Sequence, residues 1–146
     1  MTVLDAQALI AFLTDEPARP DVETLLRDPA EPTRIGAVNL AECVDVLLRV
    51  KLVPAAVARD ALDTVLEGLT VVPVGGDVGR RAGELRAKQY DRAERPLSLA
   101  DCCALALALA LGDRLATSDP PLADAARREG CTVVALPDQA GRRPAG

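Results

Sequence analysis

Apolar and polar residues alternate along this chain with two different periods. Short, nearly continuous apolar runs, which are typical of strands buried in a parallel sheet, separate longer stretches with helical spacing. The predicted strands cover residues 2–4, 34–38, 69–74, 114–117 and 132–136. The predicted helices cover residues 6–13, 21–27, 39–50, 54–67, 77–90, 97–111 and 120–129. This order predicts an α/β fold in which helices cover both faces of a parallel sheet.

Two of the predicted helices have distinctive apolar patterns. In the stretch 39–50 the apolar residues have the spacing of an amphipathic helix, with one apolar stripe made of Leu40, Cys43, Val44, Leu47 and Leu48. The stretch 97–111 is apolar on every side, which predicts a buried helix, and it is shorter than the roughly 20 residues that span a bilayer. Its one charge is Asp101. A buried carboxylate is destabilising unless it is hydrogen-bonded, paired or bound to a metal, so Asp101 requires a partner.

The length of the chain is that of one domain. Its 146 residues contain no internal repeat and no linker that would divide them, so we predict a single domain over residues 1–136. Residues 137–146 are rich in Pro, Gly and Arg, which predicts a disordered tail.

Composition excludes several kinds of chemistry. The chain has no His, which rules out Ser-His-Asp and Cys-His catalysis and any zinc site with imidazole ligands. Its four Cys form no CxxC pair, so we expect buried thiols in a reducing compartment. The N-terminal apolar run lacks a basic region and is interrupted by Asp5, so we expect no signal peptide, no membrane segment and a cytoplasmic location. A net charge of −5 still allows action on a polyanion if carboxylates hold cations in the site.

Four acidic residues lie at or near the starts of predicted helices: Asp5, Glu42, Asp101 and Asp119. Asp5 and Asp119 follow predicted strands, and Glu42 lies one turn into the helix after another strand. Each acid also has an interpretation as a helix cap. Asn39 and Ser98 precede an acid by three residues, as in a capping box, and Asp5 and Asp119 are suitable N-caps.

Taken together, the four acids indicate more than capping. If these helices all begin at the carboxyl edge of one sheet, the carboxylates face a common crevice, where they raise one another's pKa unless a cation lies among them. A site with oxygen ligands alone favours Mg²⁺ or Mn²⁺ over zinc. On a helical wheel, however, Glu42 lies opposite the apolar stripe, so it belongs to such a site only if its polar face borders the crevice.

The segments VLDAQALIAFL, NLAECVDVLL, LSLADCCALALAL and LATSDPPLADAA, one around each acid, resemble in order and spacing those of the PIN-domain ribonucleases. Within that family the resemblance is closest to the VapC-type toxins of type II (VapBC) toxin–antitoxin pairs. It implies a three-layer α/β/α sandwich with a short parallel sheet. It also implies cleavage of RNA with Mg²⁺ or Mn²⁺, a cognate antitoxin and a homodimer.

The resemblance also implies roles for individual residues. Asp5, Asp101, Asp119 and Glu42 correspond to the acidic quartet that holds the metal, and Thr117 and Ser98 occupy the hydroxyl positions beside it.

Arg86, Lys88 and Arg92 belong to a segment, 80–95, with more basic than acidic residues, which we interpret as a candidate substrate-binding surface. A solvated helix face with internal ion pairs explains the same segment equally well. The apolar residues of 39–50 and 54–67 similarly form either core or a groove for a partner helix.

Other protein classes with acidic or phosphate sites match the sequence less well. A receiver-like signalling module requires a second acid beside Asp5 and a late Lys, and a haloacid-dehalogenase-type phosphatase requires DxD, whereas Asp5 is followed by Ala6 and Gln7. A dinucleotide-binding domain requires GxGxxG after the first strand, and the Gly75-Gly76 pair lies elsewhere. A non-catalytic metal-binding module, receiver-like or an inactive PIN domain, is the alternative that we retain.

Overall fold

The computed structural model describes residues 1–146 and contains five strands and seven α-helices. The strands are β1 (Thr2–Leu4), β2 (Thr33–Gly36), β3 (Leu69–Val72), β4 (Arg114–Thr117) and β5 (Val133–Ala135). The helices are α1 (Ala6–Leu13), α2 (Arg19–Arg27), α3 (Ala37–Asp45), α4 (Ala55–Leu66), α5 (Gly76–Gln89), α6 (Leu99–Leu111) and α7 (Pro120–Arg128). The strands form one parallel sheet in the order β3-β2-β1-β4-β5.

The helices form two layers, one on each face of this sheet. One hydrophobic cluster contains the buried residues of α1 to α4, and a second contains those of α5 to α7. Successive strand residues alternate between the two, as side chains in a strand must. Val3 and Leu115 belong to the second cluster, whereas Leu4 and Ala116 belong to the first. The predicted three-layer α/β/α sandwich is therefore confirmed.

The order of the strands reverses between β1 and β4. The chain proceeds from β1 outward through β2 and β3, and β4 and β5 then lie on the opposite side of β1. Crevices that bind ligands form at the carboxyl ends of strands at such reversal points in open α/β sheets. Asp5 directly follows β1, and Asp119 lies two residues beyond β4.

Helix α3 begins and ends earlier than the apolar pattern predicts. Its N-cap is Gly36, where an added Cβ would lie 3.2 Å from Oδ1 of Asn39, so the close approach favours glycine. After Asp45 the chain continues as one wider, π-helical turn, Val46–Val50. Cys43 and Leu47 of the apolar stripe are buried in the core, whereas Leu48, within this turn, is 39% exposed. Of the two interpretations of the stripe, core therefore applies to Cys43 and Leu47, and Leu48 lies on the surface.

Helix α6 is buried as its composition predicts. Residues 102 to 108 are all buried, and the exposed Leu99 and Leu111 lie at its ends. Gly112, in the left-handed conformation with φ of 65°, ends the helix. The four cysteines are buried free thiols. No helix in the structure has both the length and the apolar character needed to cross a membrane.

The segment for which the sequence predicts disorder, 137–146, makes specific contacts in the structure. Arg143 donates a hydrogen bond to the Ala135 carbonyl at 2.6 Å and pairs with Asp21 at 2.7 Å. Pro144 is buried. The C-terminal residues therefore lie against the sheet edge and α2.

Candidate active site

Asp5 and Asp119 lie at the carboxyl ends of the adjacent strands β1 and β4, and each caps the helix that follows. Oδ1 of Asp5 accepts a hydrogen bond from the Ala8 amide at 2.7 Å, and Oδ2 of Asp119 accepts one from the Leu122 amide at 2.9 Å. The first turn of a helix has amides without partners inside the helix, and these amides hold one oxygen of each carboxylate. Capping therefore fixes both carboxylates at the same edge of the sheet.

Asp101 is held by a complete capping box at the start of α6. Its Oδ2 accepts a hydrogen bond from the Ser98 amide at 2.7 Å, and the Ser98 hydroxyl accepts one from the Asp101 amide at 3.0 Å. The capping interpretation of this pair is confirmed. The box uses one carboxylate oxygen, and Oδ1 of Asp101 makes no hydrogen bond.

Glu42 lies in the second turn of α3, half-buried, and the cap predicted three residues before it is wrong. Asn39 is buried, and its side-chain amide donates to the Ala100 carbonyl at 3.0 Å. A hydrogen bond thus joins α3 to the residue before Asp101. As a result, the helix that bears Glu42 and the helix that bears Asp101 are tied together where their acids lie.

The four acids line a single cavity of about 660 Å³. Its carboxylates are Asp5, Glu16, Glu42, Asp101, Asp119 and Asp138. Gln7, Ser118 and Gln139 add polar groups, and Arg142 is the one cationic side chain among the lining residues. The polar face of α3 therefore borders the cavity, and the sequence-predicted quartet converges there.

Asp5 is the carboxylate most strongly perturbed by this arrangement. Its pKa is raised from 3.8 to about 7, chiefly by burial and also by the charges of Asp101 and Asp119. Hydrogen bonds from the Thr117 hydroxyl and the Ala8 amide oppose this effect. A shift of this kind is typical of functional sites, where charges that repel one another are held together by the fold.

The other carboxylates are electrostatically linked through Asp101. Burial is the main cause that raises the pKa of Glu42, and the Asp101 charge adds to it. Burial likewise raises the pKa of Asp119, again with a contribution from Asp101. Asp101 therefore repels each of the other three members of the quartet, and the stabilising partner of its carboxylate is the Ser98 amide of the capping box.

Thr117 connects the two strand-end acids from beneath the cavity. It is fully buried, its hydroxyl interacts with the Asp5 carboxylate, and its Oγ1 accepts a hydrogen bond from the Asp119 amide at 3.0 Å. Neither Thr117 nor Ser98 lines the cavity. Both act on it through the carboxylates that they hold.

The chemistry of the donor set suits a hard divalent cation, because it consists of carboxylate oxygens that repel one another without one. Asp101 and Asp119 each have one carboxylate oxygen that accepts no hydrogen bond. In the arrangement seen here, however, no three Asp, Glu or Cys side chains are placed to hold a metal ion together.

The basic residues predicted to contact substrate lie outside the cavity lining. Arg86 donates to the Leu97 carbonyl at 2.9 Å and stacks on Tyr90, and Lys88 pairs with Glu129 at 2.8 Å. Arg92 is exposed and has no ion-pair partner. The structure thus gives Arg86 and Lys88 structural partners, and a substrate contact by any of the three stays a prediction.

Several residues of the cavity lining have no counterpart in the sequence prediction. Glu16 follows α1, and Asp138, Gln139 and Arg142 belong to the C-terminal segment. No periodicity or motif distinguishes them in the sequence, since Pro, Gly and Arg in a terminal segment are typical of disorder. The C-terminal residues come close to Asp5 because β5 ends beside β4, and Glu16 does so because α1 follows Asp5 directly.

Comparisons with known proteins agree with this architecture. The family model described as the PIN domain matches residues 2–128. No curated protein sequence matches the chain.

Several solved structures share the fold at low sequence identity. The toxin VapC20 of Mycobacterium tuberculosis, described as cleaving the sarcin-ricin loop, superposes with a TM-score of 0.69 and 17% identity, over 86% of this chain and 95% of that chain. VapBC2 of Rickettsia felis, bound to a promoter DNA fragment, superposes with a TM-score of 0.70 and 16% identity, over 91% of this chain and 96% of that chain. FitAcB of Neisseria gonorrhoeae superposes with a TM-score of 0.67 and 22% identity, also over 91% of this chain and 96% of that chain.

Proposed function

The chain belongs to the PIN-domain family, and from this we propose that it is an endoribonuclease, the toxin of a toxin–antitoxin pair, which hydrolyses RNA phosphodiester bonds with Mg²⁺ or Mn²⁺. The observation that carries the proposal is the convergence of Asp5, Glu42, Asp101 and Asp119 on one cavity. Four mutually repelling carboxylates are retained at one place at an energetic cost, which functional sites commonly bear.

In this proposal Asp5, Asp101 and Asp119 hold the divalent cation, directly or through water. When bound, the cation supplies an activated water nucleophile and stabilises the charge that develops on the phosphate. Without His, a base that acts near neutral pH would have to be a carboxylate with a raised pKa, such as Asp5, and a metal removes the need for one.

The residues of the chain position this chemistry. Thr117 fixes Asp5 and Asp119 relative to each other, and Ser98 fixes Asp101. Glu42, with a raised pKa and a half-buried carboxylate, orients the attacking water or holds a second cation. If that water attacks phosphorus opposite the 3′-oxygen, the P–O3′ bond breaks and the products carry a 5′-phosphate and a 3′-hydroxyl, as the likeness to the family implies.

An antitoxin partner is proposed from the structural neighbours, two of which are VapBC2 of Rickettsia felis and VapBC of Salmonella typhimurium, each bound to DNA. The π-helical turn, the connection after it and the start of α4 bear exposed apolar residues that offer a surface for a partner helix: Leu48, Val50, Leu52 and Val57. We also propose a homodimer, by analogy with the family.

The proposal is tested with the purified chain and a 5′-labelled single-stranded RNA. We expect cleavage in Mn²⁺ or Mg²⁺, none in EDTA, and none by the Asp101→Asn variant in any metal. The matched control Asp63→Asn alters an exposed carboxylate on α4, outside the cavity, and retains cleavage. Metal-independent cleavage, or cleavage by Asp101→Asn, contradicts the proposal.

The alternative is a non-catalytic metal-binding module, receiver-like or an inactive PIN domain. Because the PIN family model matches residues 2–128, the inactive PIN domain is the form of this alternative that remains. In that case the parent chain binds RNA or its partner and cleaves no RNA in Mg²⁺ or Mn²⁺.

A further inference from the structure

The cavity has a charge pattern that is unfavourable for RNA. A phosphodiester that enters it meets six carboxylates and one guanidinium. We propose that this guanidinium, Arg142, is a substrate-binding residue that contacts an RNA phosphate at the rim of the cavity. The inference rests on the proposed function, and it assigns a role to a segment for which the sequence predicts disorder.

The C-terminal segment leaves the sheet beside the acids. The Leu136 amide donates to the Thr117 carbonyl at 3.0 Å, which extends the pairing of β5 with β4 by one residue. Leu136 is fully buried, so the chain is anchored at that point. The next residues, from Pro137 onward, therefore begin within the wall of the cavity that Asp119 also lines.

Residues 138–142 form a turn that is stabilised by one carboxylate. Oδ1 of Asp138 accepts hydrogen bonds from the Ala140 and Arg142 amides at 2.8 and 2.9 Å. The Asp138 amide donates to the Arg142 carbonyl at 2.7 Å, and the Gly141 amide donates to the Asp138 carbonyl at 2.9 Å. None of these four bonds uses the Arg142 side chain, so they remain when that side chain is replaced.

The turn is also held from both of its sides. Arg143, which follows it, is bound to the Ala135 carbonyl and to Asp21. Gln139 lies 3.5 Å from the Glu16 carboxylate on the other side of the cavity. Arg142 is thus presented from a segment whose position is fixed, which lowers the entropic cost of a contact with substrate.

The Arg142 side chain has donors available for a phosphate. Its Nε and Nη2 both contact Oδ2 of Asp138, at 3.1 Å each, and Nη1 has no partner. The side chain is 81% exposed. Guanidinium groups suit phosphate oxygens because their N–H donors lie in one plane. The neighbouring Arg143, by contrast, has both of its terminal nitrogens engaged.

The test measures RNA affinity separately from cleavage. Each variant is made in the Asp101→Asn chain, which keeps the hydrogen bond from the Ser98 amide and does not cleave RNA. The Kd of each protein for a labelled single-stranded RNA is then measured across salt concentrations. Arg142→Gln raises Kd about fivefold and reduces the salt slope by about 0.7, the value for one lost phosphate contact on a single strand. Arg142→Lys keeps the positive charge at this position, so its Kd depends on salt concentration with the same slope as that of the Asp101→Asn chain.

Arg59 provides the matched control, because it is exposed on α4, has no ion pair and lies outside the cavity lining. Arg59→Gln leaves Kd and slope unchanged. The proposal is overturned if Arg142→Gln behaves like Arg59→Gln, or if Arg142→Lys loses as much of the salt slope as Arg142→Gln. Cleavage by the chain with native Asp101 in Mn²⁺ tests the proposed function independently, so retained cleavage with an unchanged Kd refutes the role of Arg142 alone.

Discussion

Ser98 and Asp101 exchange two hydrogen bonds across the first turn of α6, at 3.0 and 2.7 Å, while the same Asp101 carboxylate lines the acidic cavity. Capping and participation in the site are therefore compatible. The cap holds one carboxylate oxygen and sets the direction of the other. Asp5 and Asp119 likewise each accept a hydrogen bond from an amide in the first turn of a helix. The starts of three helices therefore position three carboxylates of the cavity.

The first prediction separates the charge of Asp101 from its capping bond. In Asp101→Asn the side-chain oxygen still accepts from the Ser98 amide and repulsion among the carboxylates is relieved, so the free energy of unfolding in EDTA is kept or raised. RNA cleavage is lost, a larger effect than the roughly 10- to 100-fold reduction typical of residues that act only behind a metal ligand. The measurements are the RNA cleavage rate and the thermal unfolding of the parent and the Asp101→Asn proteins.

Ser98→Ala gives the opposite pattern. Loss of the N-cap hydroxyl lowers the free energy of unfolding by about 1 kcal/mol, and the Asp101 carboxylate remains. We expect a lower Tm with cleavage reduced much less than in Asp101→Asn.

Equal cleavage by the parent and Asp101→Asn chains would show that the Asp101 carboxylate has no part in the reaction.

The second prediction concerns pH. The pKa of Asp5 is about 7 in the folded protein and near 3.8 without its surroundings. Because the folded-state pKa is raised, Asp5 contributes stability below about pH 4 that is lost as the pH rises through 7. The loss amounts to up to about 4 kcal/mol in the absence of metal.

Asp5→Asn removes this pH dependence and retains an acceptor for the Ala8 amide. Urea unfolding in EDTA is measured for the parent and the variant at a pH near 5 and a pH near 8. We expect the variant to gain relative to the parent at the higher pH by about 2 kcal/mol or more. A difference between the two proteins that stays constant with pH would contradict the raised pKa.

The third prediction concerns metal binding. A divalent cation that occupies the cavity relieves carboxylate repulsion and stabilises the folded state, by about 2.7 kcal/mol at 100 times its Kd. Saturating Mn²⁺ therefore raises the Tm of the parent by several degrees. The increase is much smaller in Asp5→Asn, and an equal increase in both proteins would place the binding elsewhere.

The fourth prediction concerns Thr117, which positions Asp5 and Asp119. Thr117→Val keeps the buried shape and removes the hydroxyl, which leaves the Asp119 amide without its partner at 3.0 Å. We expect a loss of about 1–3 kcal/mol in the free energy of unfolding. Mn²⁺ affinity falls about 10- to 100-fold, as for other residues that orient metal ligands.

Thr117→Ser is the control for this prediction, since it keeps the hydroxyl and restores most of the Mn²⁺ affinity. Isothermal titration of Mn²⁺ into the three proteins measures the effect. Similar affinities for Thr117→Val and the parent would mean that the hydroxyl contributes to stability alone.

The sequence determined the elements and their order because local patterns specify them. β1, β4 and α1 have the predicted bounds, and α6 is buried as its uniform apolarity requires. The positions of Asp5 and Asp119 after strands, and the Ser98-x-x-Asp101 spacing, were likewise readable. Each depends on residues within one turn or one strand end, where the sequence acts directly on the backbone.

Tertiary packing decided what the local pattern could not. Periodicity gave Glu42 a polar face, but only the placement of α3 beside α6 makes that face border the cavity. Asn39 has the spacing of a cap, yet it bonds to Ala100 because Gly36 allows a closer approach of the helix start. The C-terminal turn with Arg142 lies at the cavity because β5 pairs with β4, a contact between segments distant in sequence. Such contacts depend on the whole assembled sheet, and no local pattern in the chain encodes them.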